Sequence, residues 1–407
     1  MNGKQLGILL AVLVLLGGLG LLIQNSHKQA ADSGSKEAGA LLLGDKFPVN
    51  DVAHIRIQQG TNSVNLVKKD DKWRVSERDD YPASFNLISD FLLKAKDMKV
   101  MEKDAVSPAD LGALQLAPAG QGSNSATLLE LMDKDNKAVK TLLLGKVHTR
   151  KPAQRQPGGD EGIPDGRYLM LSTDTNNVLL VGDPLSSIEA KPESWIEKSF
   201  FKIDRAKAVA ESFPDATNSW KMTREGDGAP WKMADVETNE NVDSNKLLTV
   251  ANPFVSPNMD DVLPLATKPE EIGLDKPTVV TVDTLDDFHY VVKVGAKHGD
   301  DYPVSMSVTA NLPKERTPAA DEKAEDKEKA DKAWKEQQTK LADSLKEQQS
   351  FEKRIYLVPA WNVDSILKHR GELMAEKKEE PAPVMPAGEP SSNAPTINPI
   401  APAEPPK

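Results

Sequence analysis

The chain has 407 residues and no cysteine, which excludes disulfides, zinc–thiolate sites and a cysteine nucleophile. Its formal net charge of −11, with no basic stripe to offset it, argues against nucleic acid as a partner. Such a length holds about two to three domains, and the low hydrophobic share of 39% traces partly to two strongly polar segments.

The N-terminus carries the firmest local signal. The run LGILLAVLVLLGGLGLLI (Leu6 to Ile23) is uncharged, preceded by Lys4 and followed by Gln24, Asn25 and Ser26. It is just long enough to cross a lipid bilayer as a helix. A cleaved signal peptide is the alternative, and Lys28 and Gln29 stand where small residues are needed before Ala30 or Ala31. The reading is therefore a signal-anchor over 1–28 and a linker over 29–46. Lys4 favours a cytoplasmic N-terminus, weakened by His27 and Lys28, in a single-pass membrane protein. The bulk of the chain is then extracytoplasmic.

Beyond the linker the sequence repeats itself. FPVNDVAHIRI (Phe47 to Ile57) lies over FKIDRAKAVAE (Phe201 to Glu211), and LLLGKVH (Leu142 to His148) lies over VKVGAKH (Val292 to His298). TNSVNLVKKDDKWRV and TNSWKMTREGDGAPWKM, between these anchors, read as the same hairpin with Trp73 and Trp231 opening the return strands. The spacing predicts two tandem units, 47–200 and 201–375, each an α+β arrangement of antiparallel strands with few helices.

Within unit one, a helix is expected after Ser84, with Leu87, Ile88, Phe91, Leu92 and Ala95 on its buried face. In unit two the corresponding helix is expected to be capped by Asp243 or Ser244 and stopped by Pro253. The loops DLGALQL and EIGLDKP are aligned through Gly112 and Gly273. PLSSIEA and WNVDSILKH are read as short closing helices.

One difference separates the copies. Where unit one turns with STDTNN, unit two inserts Leu312 to Lys353, rich in Ala, Glu, Lys and Gln. This composition favours helix. Ala330, Trp334, Leu341 and Leu345 form a thin stripe at heptad-like, coiled-coil intervals. A helical hairpin, or a helix with an extended return, is expected here. Trp334, Leu341 and Leu345 are its candidate partner contacts, and a solvated excursion is the plainer alternative. The tail, 376–407, is proline-rich without apolar period and is expected to be disordered or extended.

No catalytic constellation emerges. The six histidines lack metal-ligand spacing, and the acidic pairs Asp70–Asp71, Asp79–Asp80, Asp286–Asp287 and Asp300–Asp301 read as turns. No Walker loop, GxGxxG or GxSxG is present. No catalytic residue, cofactor or metal is expected.

FPVNDVAHIRI, the hairpin ending KWRV, YPASFNLISDFL, LGAL and LLLGK together resemble the bacterial family called domain of unknown function 4340. The resemblance covers about Phe47 to Ile188, with a weaker copy from Phe201 to Leu367. It implies an envelope complex, because members are often encoded beside ABC transporter genes of the gliding-motility type. It supplies no catalytic residue. The expectation is a non-enzymatic accessory or scaffold protein with membrane partners such as ABC transporter subunits. An envelope-facing polysaccharide- or peptide-binding module or hydrolase is the alternative.

Overall fold

A computed structural model describes residues 38–118, 124–150, 162–318 and 322–375. The apolar run Leu6–Ile23 and the tail 376–407 lie outside the described residues. Among the described residues no helix is long and apolar enough to cross a membrane.

The first lobe runs β1 (His54–Gln59), β2 (Asn62–Lys69), β3 (Lys72–Val75) and β4 (Tyr81–Pro82), then helix α1 (Phe85–Asp97). It continues through β5 (Val100–Ala105), β6 (Thr127–Met132), β7 (Ala138–Arg150), β8 (Ile163–Leu171) and β9 (Asp174–Val181). These strands form one antiparallel sheet in the order β4-β3-β2-β1-β6-β7-β8-β9-β5. The second lobe comprises β10 (Ala206–Ser212), β11 (Trp220–Thr223), β12 (Lys232–Met233), helix α2 (Ser244–Val250) and β13 (Asp261–Val262). It is completed by β14 (Thr278–Thr284), β15 (Phe288–Val294), β16 (Asp301–Ala310), helix α3 (Ala324–Gln349), β17 (Tyr356–Pro359) and the single turn α4 (Ala360–Val363). Its order is β12-β11-β10-β14-β15-β16-β17-β13.

With β4 set aside, the two orders are the same. The registers agree as well: Ile55 faces Leu66 and Leu131, and Val209 faces Met222 and Val282. Period-2 alternation explains these strands, since β15 buries Phe288, Tyr290, Val292 and Val294 while its intervening residues face outward or lie half-buried. Gly145 and Gly295 occupy one structural position. A Cβ on Gly145 would meet the Leu114 carbonyl oxygen at 2.5 Å, and one on Gly295 the Ile272 oxygen at 2.3 Å. The following amides, Lys146 and Ala296, donate to those same carbonyls at 2.8 and 3.0 Å.

That contact corrects the expected pairing of Gly112 with Gly273. Gly273 is left-handed, and its counterpart is Gln115, also left-handed, one residue after Leu114. Other expectations also shift. Leu87 is 43% exposed, whereas Ile88, Phe91, Leu92 and Ala95 are buried. Ser84 sits at the N-cap of α1 without a side-chain bond, while the Asp243 carboxylate accepts from the amides of Asn245 and Lys246. PLSSIEA is a turn, not a helix: Pro184 and left-handed Leu185, whose amide donates to Asp183, break the helical path. WNVDSILKH keeps one helical turn, within α4.

Part of the segment read as linker is docked. Leu42 and Leu43 are buried, and Gly39 and Leu42 donate to the carbonyls of Val100 and Met98. The connection between lobes is core too, with Trp195, Ile196, Phe201 and Ile203 buried. One continuous apolar cluster therefore runs through both lobes.

Helix α3 rises from the β16–β17 hairpin, where β8 and β9 are joined by Ser172 and Thr173 alone. Its 26 residues span about 39 Å. The limb leading out from β16, rather than an extended return after the helix, lies against it through Arg316, which bonds Asp331 and both oxygens of Glu322.

Candidate functional site

The two lobes meet at a turn that only certain residues can make. After β3 the chain forms a short 3-10 turn at Ser76–Arg78, then takes Asp79 and Asp80 through left-handed conformations. Aspartate tolerates that region better than most side chains. The turn projects Arg78 across the seam, where its guanidinium donates to both carboxylate oxygens of Asp261 at 2.8 and 2.6 Å. A second arginine closes the loop: Arg354, just before β17, donates to the carbonyls of Arg78 and Asp79. The Asp79 carboxylate accepts from the Leu265 amide.

Behind these charges lies an aromatic cluster. Tyr81 and Tyr356 meet edge to face with ring centroids 6.3 Å apart, and Phe200 lies 4.6 Å from Tyr356. Phe351, at the foot of the arm, packs against both Phe200 and Tyr356. Burial pushes the Tyr81 hydroxyl up to about 12, partly offset by its hydrogen bond with Tyr356 and the nearby Arg354. Tyr356 rises further for the same main reason, and its hydroxyl donates to the Phe351 carbonyl.

Charges and rings together wall a cleft of about 590 Å³ between the lobes. Arg74, Asp80, Tyr81, Glu197, Phe351 and Arg354 are among its lining residues. No histidine lines it, and Ser199 is held by Glu197 in a local turn. Among the described residues no group of three or more acidic or histidine side chains is placed to hold a metal.

The sequence-derived residues fall elsewhere. Leu341 and Leu345 are half-buried against the second lobe's own core, and Gln348 is buried, accepting from the Lys202 amide. Trp334 lies half-buried farther along the arm, with Lys335, Glu336 and Gln337 exposed beside it. Trp73 is core, whereas its counterpart Trp231 is only partly buried, with the Arg224 guanidinium 5.0 Å from its ring centroid. His148 bonds Asp165 at 2.6 Å in one lobe, and the His298 amide pairs with Asp301 in the other. They form no common site. Asp70, Asp71, Asp79, Asp80 and Asp287 all take left-handed turn conformations, as the acidic pairs suggested.

Sequence reasoning did not find the seam. Its one usable signal was RDDY (Arg78 to Tyr81), an acidic turn following the return strand of copy one.

The model of a family described as Domain of unknown function (DUF4340) matches residues 73–277. The match begins in the return strand of the first lobe, takes in the seam turn and Asp261, and stops before the arm. No curated protein matches the chain, and no solved structure does.

Proposed function

The chain belongs to the DUF4340 family, and on that premise we propose a non-enzymatic, membrane-anchored scaffold of an ABC-transporter-like envelope complex. Leu6–Ile23 serves as the span, the N-terminus is cytoplasmic, and both lobes lie outside the cytoplasm. The shared strand order and register support a tandem duplication as the origin of the two lobes.

The observation that carries the reading is the arm. A duplicated lobe closes with a two-residue turn in one copy, so the 26-residue helix of the other is unnecessary for the sheet. Its C-terminal half rests on the second lobe through Leu341, Leu345 and Gln348. Its N-terminal half presents Lys327, Glu328, Lys329, Lys332 and Lys335 to solvent around Trp334. An isolated helix of that kind gains little from its own domain. A partner is what it serves.

Two measurements test this in cells. Carbonate extraction and protease access to spheroplasts should show an integral protein with an exposed ectodomain. A photo-crosslinking amino acid in place of Trp334 should capture a transporter subunit. A soluble product, or a crosslink confined to the chain itself, overturns the scaffold.

The seam cleft favours a second, compatible reading, an envelope-facing peptide-binding module, because scaffolds hold partners through grooves as well as arms.

A further inference from the structure

Inside an acidic protein, the seam cleft holds two cations, Arg74 and Lys353, that form no ion pair among the described residues. Arg74 makes a single long contact, from Nη1 to the Asp80 carbonyl at 3.5 Å, and forms no ion pair among the described residues. Lys353, at the foot of the arm, is exposed and has no side-chain partner among the described residues. Of the two carboxylates beside them, Asp80 is ion-paired and Glu197 is engaged through Oε1 alone. Asp80 holds the Lys69 ammonium at 2.8 and 2.7 Å, and Glu197 accepts from the amide and hydroxyl of Ser199. Arg354 is spent on the two backbone carbonyls of the turn. The cleft thus sets two cations without an ion pair, Arg74 and Lys353, against one carboxylate without an ion pair, Glu197, among the described residues.

Its walls narrow the ligand further. Tyr81 already meets the edge contact of Tyr356 and the Arg354 guanidinium, 5.8 Å from its ring centroid. The Tyr81 ring is thus shared with a guanidinium rather than open as a stacking platform for a sugar or a nucleobase. What remains is a small apolar surface made by Pro82, Phe351 and Leu265, the last 61% exposed at the rim. An exposed leucine beside unpaired cations asks for an apolar side chain next to an anion.

We propose that the cleft binds an acidic peptide segment of a partner protein. A glutamate or aspartate carboxylate sits between Arg74 and Lys353, and a neighbouring apolar side chain covers Leu265 and Phe351. The net charge of −11 adds selectivity, since the rest of the surface repels such a segment. This site rests on the scaffold reading only for where the partner lies, not for the chemistry of the cleft.

The test uses the full chain in detergent micelles and saturation-transfer NMR with blocked dipeptides. N-acetyl-Leu-Glu-amide should bind, and N-acetyl-Leu-Gln-amide should bind at least about tenfold more weakly. Arg74→Gln and Lys353→Gln should each cost about tenfold, Arg74→Lys should restore part of the loss, and Lys134→Gln, an exposed cation outside the cleft, should change nothing. Equal binding of the two dipeptides, no binding of either, or binding of phenyl phosphate without the glutamate peptide overturns the proposal. Loss of the Trp334 crosslink with dipeptide binding intact would count against the scaffold alone.

Discussion

Glu211 occupies in the second sheet the ladder position that Ile57 occupies in the first. Ile57 faces Val64 and Leu129, and Glu211 faces Trp220 and Val280. Both side chains are buried, Glu211 to 1% exposure, with its Oε1 lacking a partner. The change is paired with another, because Trp220 stands where Val64 does and donates through Nε1 to the Lys368 carbonyl. The Lys368 amide donates in turn to Glu211.

Burial pushes the Glu211 carboxyl up from 4.5 to about 8, only partly countered by the Lys368 amide and Trp220, with Glu372 adding to the rise. Between those values the unfolded chain releases a proton that the folded chain retains, so stability falls as pH rises. Below about 4.5 and above about 8 this group contributes no slope. The loss across the window is on the order of 4 kcal/mol. Urea denaturation from pH 5 to 9 should show it, and Glu211→Gln should flatten the difference. A variant with the parental slope would place the titration elsewhere.

Gly145→Ala and Gly295→Ala should each destabilise by about 1–3 kcal/mol or more, since the new Cβ is driven into backbone carbonyls that cannot yield. Gly226→Ala, with nothing within 4 Å, should stay within about 0.5 kcal/mol of the parent. Equal thermal midpoints for all three would remove the shared close approach as a reason for glycine.

The two equivalent tryptophans should part company. Trp73→Ala should cost about 3–5 kcal/mol, as for a core aromatic. Trp231→Ala should cost about 1 kcal/mol, the scale of its contact with Arg224. Chemical denaturation of both variants decides this, and a larger loss for Trp231 contradicts the burial difference.

Arg78→Ala leaves Asp261 half-enclosed without its bidentate partner, both side chains being 16% exposed in the pair. Such removal costs about 3 kcal/mol, while adding Asp261→Asn should recover part of it. A double-mutant cycle with no coupling would show that the Arg78–Asp261 pair does not help hold the lobes together.

Strand periodicity and the order of anchors carried much of the fold in the sequence. His54–Gln59, the hairpins and the place of the arm are all local patterns, and local patterns are written in consecutive residues. The Gly112–Gly273 alignment misled because glycine identity is not conformation: Gln115 adopts the left-handed turn that Gly273 adopts in the other lobe. Leu87 was misplaced because a helix with Ile88, Phe91, Leu92 and Ala95 already fills its groove. The seam was illegible for a different reason. Arg78 and Asp261 meet across 183 positions, and no periodicity encodes a contact between lobes.

The arm also sets a sequence in time. Sheet one joins β8 to β9 across two residues, whereas β16 must find β17 across the whole of 311–355. The longer excursion adds roughly 2–3 kcal/mol of closure entropy. β13 pairs only with β17 within its sheet, so it waits for that closure, and Asp261 waits with it. The clasp on Arg78 is then expected to form late, after the β16–β17 closure. Until then lobe two carries an open strand edge, the surface on which chains of this kind pair wrongly. Pulsed hydrogen exchange during refolding should protect the Ile57 amide well before that of Leu357.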